Sequence, residues 1–138
     1  MVRLQGARIT GELDLSDADL GTGLGFFQCT FEAPPGFSRA KLRVLTLSGS
    51  VLPGLDLDQA SIETNLVLIG AKISGTAGTA LSLAGATIGG QLNLTGADLR
   101  ASNAPALVAD GATIGDNLTA SGLSVRSLGA SDQLRVSE

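Results

Sequence analysis

One phrase is written twice in succession, as Leu81-Ser-Leu-Ala-Gly-Ala-Thr-Ile88 and Leu92-Asn-Leu-Thr-Gly-Ala-Asp-Leu99, with equivalent positions eleven apart. The rest of the chain is variation on it. So short a period confines the chain to a stacked architecture, because one unit is too small to bury its own apolar face. The Leu-x-Leu element, with Val, Phe or Ala at some sites, recurs at 2–4, 13–15, 24–26, 45–47, 55–57, 66–68, 81–83, 92–94, 107–109, 118–120 and 134–136. A degenerate copy stands at Pro35-Gly36-Phe37. Each copy is followed by a small residue and then an aliphatic or Phe, as in Ala7/Ile9, Cys29/Phe31, Ala60/Ile62 and Ala97/Leu99; in the copy that ends at Val125, Leu123 takes the small place.

Alternation of period two marks a strand with one buried face. Each strand is only about three residues long before Gly, Ser, Asp or Asn bends the chain, and such strands have no stability alone. With no helical stretch between them, the expected fold is all-β: a parallel β-helix of about six coils over residues 1–138, a single domain without substantial helix. Two half-units make one coil with four short sides, and at ~4.8 Å per coil the rod is about 29 Å long. Composition agrees. Aromatic residues are 3% of the chain, with no Trp or Tyr, and a narrow lumen needs few large rings.

Residues 45–64 divide without remainder into four fives, Leu-Thr-Leu-Ser-Gly, Ser-Val-Leu-Pro-Gly, Leu-Asp-Leu-Asp-Gln and Ala-Ser-Ile-Glu-Thr, centred on Leu47, Leu52, Leu57 and Ile62. This resembles the pentapeptide-repeat family, whose unit is a small residue, Asp or Asn, Leu or Phe, a polar residue and any residue. The resemblance covers nearly the whole chain and implies a right-handed quadrilateral β-helix. The chain departs from that unit in two ways: alternate quarters carry Leu where the family has a small residue, so the coil is wider there, and several half-units carry an eleventh residue. The wording Gly6-Ala-Arg-Ile-Thr-Gly-Glu-Leu-Asp-Leu15 is also similar to long bacterial proteins labelled pentapeptide-repeat or membrane-associated oxidoreductase.

Register predicts neighbours. In the C-terminal half the coil lengthens, with Leu66, Leu92 and Leu118 equivalent. The added residues fall at one corner, so Ser74–Ala80, Arg100–Ala106 and Arg126–Gln133 are expected to stack as three loops on one edge. Pro105 lies in one of them, where a missing N–H costs least.

The candidate chemical groups read as structure. Glu12, Asp14, Asp17 and Asp19 form the densest acidic set, of a kind that elsewhere holds a metal or a carboxylate pair. Arg39 and Lys41, however, stand at the places equivalent to Asp17 and Asp19 one coil on, so an exposed ion-pair ladder is expected. Lys72 is the expected partner of Asp98 in the same way. Asp56 and Asp58 continue the side of Asp14, with Gly36 breaking the array. Cys29 occupies a small inward position and the chain has no His to activate it, so it reads as a buried structural thiol; as the single Cys it forms no internal disulfide. Asn93-Leu-Thr95 and Asn117-Leu-Thr119 fit the glycosylation acceptor pattern, as a repeat rich in these residues does by chance. Gly21-Thr-Gly23-Leu-Gly25 is too loose for a dinucleotide loop. No catalytic, cofactor-binding or metal-binding residue is assigned, and no cofactor is expected.

The leading functional expectation is a non-catalytic structural or protein-interaction scaffold, its partner unspecified. Both ends stand in mid-phrase, Val2-x-Leu4 and Leu134-x-Val136, which suggests a segment of a longer repeat protein and self-association through the coils at 1–20 and 118–138. One alternative is a DNA mimic that occupies a topoisomerase, which needs a continuous negative stripe; here the net charge is −4 and Arg39, Lys41, Arg43 and Lys72 interrupt the acids. A second alternative is an end-to-end polymer. Sugar-active β-helix enzymes need aromatic platforms that this chain lacks. The mild acidity argues against direct nucleic-acid binding. No apolar run approaches the ~18 residues of a membrane span and no signal-peptide core is present, so the location read from the sequence is cytoplasmic, with any membrane association through other parts of a longer protein.

Overall fold

The computed structural model describes residues 1–76, 78–128 and 134–135. The chain winds into a parallel β-helix with four sides, and no helix occurs among the described residues. Six strands stack on the first side: Val2–Gln5, Leu24–Phe27, Leu45–Thr46, Leu66–Val67, Leu92–Asn93 and Leu118–Thr119. The second side stacks Arg8–Ile9, Thr30–Phe31, Val51–Leu52, Lys72–Gly75, Asp98–Ser102 and Ser124–Leu128. The third holds Leu55–Asp56, Leu81–Ser82, Leu107–Val108 and Leu134–Arg135, prolonged by the bridges Asp14–Gly36 and Gly36–Asp56. The fourth holds Lys41–Leu42, Ser61–Ile62, Thr87–Ile88 and Thr113–Ile114, prolonged by the bridge Asp19–Lys41. Five coils show all four sides, and a sixth shows three among the described residues.

Every strand pair is parallel, because each strand meets the same strand one coil on. Val2 pairs with Leu24, Leu24 with Leu45 and Leu45 with Leu66, which is the shorter coil of the N-terminal half. Leu66 then pairs with Leu92 and Leu92 with Leu118, the longer coil expected from the spacing of the repeat. The degenerate Pro35-Gly36-Phe37 lies in register between Asp14 and Asp56, as the repeat requires.

The lumen is filled by columns of one residue type. The pentad centres Leu47, Leu52, Leu57 and Ile62 are all at most 2% exposed, and so are Ser50 and Ala60, each two positions before a centre. Both residues of the alternation therefore point inward. Leu pairs fill the first and third sides, while a small residue with an aliphatic fills the second and fourth, which sets the coil's unequal width. Phe26 and Phe31 meet edge to face with centroids 5.2 Å apart, and Phe37 is fully buried.

The corners leaving the first and third sides share one geometry. The residue that turns each of them, from Gly6 to Gly122, has φ between 54° and 72°, and four of these residues are not glycine: Asp17, Gln28, Arg39 and Gln59. Although the Cys29 N–H after Gln28 goes to the Ser50 hydroxyl, at most of these corners the next residue donates its N–H back three positions, as Ala60 does to Leu57 and Ala97 to Leu94. This is the pattern of a type II turn, whose third residue needs a left-handed backbone.

The expected loops at the widened corner are partly strand. Ser74 pairs with Arg100 and Gly75 with Ala101; Arg100 and Ser102 pair in turn with Arg126 and Leu128. Three insertions at the same corner lie beside one another, so their backbone groups satisfy each other as a ladder before the chain turns. The remainder of these loops, including Ala77 and residues 129–133, falls partly outside the described residues.

Candidate interaction surfaces

Three of the acids singled out by the sequence, Asp14, Asp56 and Asp58, serve the backbone. Asp14 accepts the N–H of Ser16 at 3.0 Å, Asp56 that of Asp58 at 2.9 Å, and Asn93 that of Thr95 at 3.0 Å. These are equivalent positions, the middle residue of Leu-x-Leu, and each side chain caps the corner that follows. The Thr95 hydroxyl also donates to Asn93 Oδ1, at 2.6 Å. Asp58 joins two coils: it accepts the Ala84 N–H at 3.1 Å and the Ser82 hydroxyl. Neither Glu12 nor Asp19 forms an ion pair among the described residues. Among those residues no three His, Cys, Asp or Glu side chains gather in a way that would hold a metal ion.

The ion-pair ladder has one rung. The Arg39 guanidinium forks onto Asp17, with Nε 2.7 Å from Oδ1 and Nη2 3.0 Å from Oδ2. Lys41 lies beside Asp19 in backbone register but forms no ion pair with it among the described residues. Asp98 likewise faces Lys72 in register but takes Arg100, two positions along its own strand, at 3.0 Å. Lysine's flexible stem stays in solvent, whereas arginine's planar fork matches a carboxylate.

Hydrogen bonds hold two of these carboxyls below the ordinary aspartate value of 3.8, from the Ser16 side chain and backbone at Asp14 and from Arg39 at Asp17. A carboxyl depressed in the folded state favours folding above its unfolded value, and that contribution is lost as pH falls through the folded value. Melting temperature is therefore expected to drop as pH is taken below 3.8, and Asp17→Asn to flatten that acid limb. An unchanged limb in the variant would show that the Arg39 pair does not contribute.

Cys29 is fully buried, as its place in the small-residue column requires, with Sγ 3.6 Å from the Phe27 carbonyl and 3.7 Å from that of Leu4. The neighbouring Ser50 in the same column does more. Its hydroxyl donates to the Phe26 carbonyl at 2.9 Å and accepts the Cys29 N–H at 3.1 Å, all within the core. Size alone, which defines this column, does not reveal that role, since Ala and Ser are close in size. Ser50→Ala leaves both backbone groups without that partner and is expected to cost about 1–3 kcal/mol by denaturant melt. A cost under a few tenths would mean that water replaces the hydroxyl.

At the N-terminal end Met1, Val2 and Leu4 are 63%, 56% and 42% exposed, and among the described residues Val2–Gln5 pairs only with Leu24–Phe27. At the other end Leu118 is 58% exposed, while Ala120 and Val125 are half-buried. A hollow of about 270 Å³ opens there among apolar side chains, including Ala109, Ala112 and Ala120. The expectation for residues 129–133 and 136–138 lies outside the described residues.

The four outer faces differ sharply in charge. The second carries Arg8, Glu32, Lys72, Asp98, Arg100 and Arg126; the third Asp14, Asp56, Asp58 and Asp110; the fourth Asp19, Lys41, Arg43 and Glu63. The outward positions of the first are, rung by rung, Arg3 and Gln5, Gly25 and Phe27, Thr46 and Ser48, Val67 and Ile69, Asn93 and Thr95, Thr119 and Ser121, of which Gly25 and Thr46 are buried under their neighbours. Arg3 is its one charge, and that guanidinium lies 4.3 Å from the Phe27 ring centroid. Ile69 is 42% exposed. The polar rungs are tied along the strand, Thr46 to Ser48 at 3.1 Å and Asn93 to Thr95.

No model of a known protein family matches the chain, and no curated protein matches it.

Proposed function

We propose that the chain is a non-catalytic protein-interaction scaffold, a pentapeptide-like solenoid that docks protein through its first side. The observation that carries this reading is the nearly charge-free first face. Loss of charged residues, with aromatic, Met and Arg side chains retained, is what sets the centre of a protein interface apart from ordinary surface. Pre-bonded Thr, Ser and Asn rungs lose little side-chain freedom when a partner arrives. Asp14, Asp56 and Asp58 of the third face support the reading from the other side, since they cap corners and join coils.

The test is a photo-crosslinking amino acid placed at Ile69 on the first side or at Thr113 on the fourth. Adducts with protein specific to position 69 are expected. Adducts at 113 alone, or equally at both, would overturn the assignment of the face.

A further inference from the structure

We infer that the second side carries a binding site for a phosphate group, as phosphate monoester or inorganic phosphate, held by Arg100 and Arg126. The site lies apart from the first side and does not rest on the docking role proposed above. The two arginines are register partners on adjacent rungs, and Ser74 stands one coil before Arg100 in the same outward column. Ser102 lies two positions along the strand from Arg100. All four residues are exposed. Adjacent rungs are only ~4.8 Å apart, so two like charges stand side by side, which is unfavourable until an anion joins them.

Other arginines of the chain meet an acid. Arg39 forks onto Asp17 of the previous coil. Arg100 takes Asp98, which engages two of its five N–H groups, at 3.2 Å from Nε and 3.0 Å from Nη2. Arg126 forms no ion pair among the described residues, and its register partner is Arg100 instead of a carboxylate. Lys72 lies beside Asp98 in register. The patch therefore holds three cations and one carboxylate, on a chain whose net charge is −4.

A depression of about 250 Å³ opens between these side chains. Its lining includes Gly75 and Ala101, register partners that put little bulk there. The hydroxyl-bearing Ser74 and Ser102 line it too, and neither hydroxyl is bonded to protein among the described residues. Planar guanidinium forks present paired N–H donors to phosphate oxygens, and a hydroxyl can serve a third oxygen. A phosphate monoester carries close to two negative charges at neutral pH and three acceptor oxygens, so one group can balance both arginines; a carboxylate brings a single charge. Asp98 already holds Arg100, which lowers the ordering cost of binding. The donors are exposed, so binding is weak and salt-sensitive, with Kd on the order of 1 mM at low ionic strength.

Nuclear magnetic resonance of the full chain, titrated with inorganic phosphate at low ionic strength, tests this. Saturating shifts are expected at the amides of Ser74, Arg100, Ser102 and Arg126, and not with chloride at matched ionic strength. Arg100→Gln and Arg126→Gln are each expected to weaken binding at least about fivefold, while Arg43→Gln on the fourth side leaves it unchanged. Circular dichroism shows that each variant keeps its fold. A peptide with one phosphoserine, beside its unphosphorylated form, separates the sources. Binding at least about tenfold tighter than that of inorganic phosphate, and lost without the phosphoryl group, supports the site and assigns it to a phosphorylated protein segment. Equal binding of the two supports the site and assigns it to a free or small-molecule phosphate. Shifts that never saturate, or that chloride reproduces, overturn the site. So does binding that Arg126→Gln spares, or that Arg43→Gln weakens as much. None of these outcomes bears on crosslinking from the first side, so the two proposals fail separately.

Discussion

Phe37→Ala is expected to lower stability by about 3–5 kcal/mol, the range for removing a buried aromatic ring and leaving a cavity. Phe37 is fully buried, and it sits where the repeat is weakest. Its rung reads Pro35-Gly36-Phe37, so Pro35 stands in place of the first inward Leu and the ring fills the lumen between Leu15 and Leu57. Coils above and below are stacked rather than interlocked, so the gap cannot close without moving whole rungs. Phe37→Leu restores most of the volume and is expected to recover more than half of the loss in the same denaturant melt. Equal costs for the two variants would mean that the site relaxes around the smaller residue, and that this rung is not the packed centre of the N-terminal half.

Gly89→Ala is expected to cost about 3 kcal/mol, while Gly96→Ala costs about 1–2 kcal/mol. The two glycines differ in role and in surroundings: Gly89 directly follows the inward Ile88, whereas Gly96 follows the outward Thr95. Gly96 has φ +67° at a first-side corner, and an added Cβ would meet nothing nearer than the Gly70 backbone at 3.9 Å, so its cost is left-handed strain alone. At Gly89 an added Cβ would fall on the Glu63 carbonyl oxygen, a backbone atom held in the coil below. The same clash recurs one coil on, between Gly115 and the Gly89 carbonyl. Melts of both variants decide the ranking. If Gly96→Ala is the costlier, the fourth-side corner is looser than its coil spacing implies.

The period-two columns and the lengthening of the coil after Leu66 were legible because each repeats in Leu, Ala and Ile at fixed spacing. The four left-handed corners at Asp17, Gln28, Arg39 and Gln59 were not, since no glycine marks them. The fork of Arg39 onto Asp17 was legible from spacing, but Asp98 shows the limit of that argument. Register places Lys72 beside it, yet a neighbour two positions along the same strand reaches it too, and arginine's fork wins. Ser50 was hidden for a different reason: its column is defined by size, and its hydrogen bonds depend on where two backbone groups of the previous coil point. The nearly charge-free face was present in the letters throughout. It becomes visible only when Thr46, Val67, Asn93 and Thr119, each a full coil from the next, are placed on one side.

That placement is the central claim, and a pair of cysteines tests it most directly. Val67 and Asn93 are register partners on the first side. Adjacent parallel strands hold Cα atoms about 4.8 Å apart, within the span of a disulfide. The Val67→Cys/Asn93→Cys chain is expected to form that bond within one molecule under mild oxidation, as peptide mass mapping would show, while Val67→Cys/Thr95→Cys, offset along the strand, stays reduced. Closure of the offset pair and not of the register pair would contradict the register of the lengthened coil, and with it the face from which the function is argued.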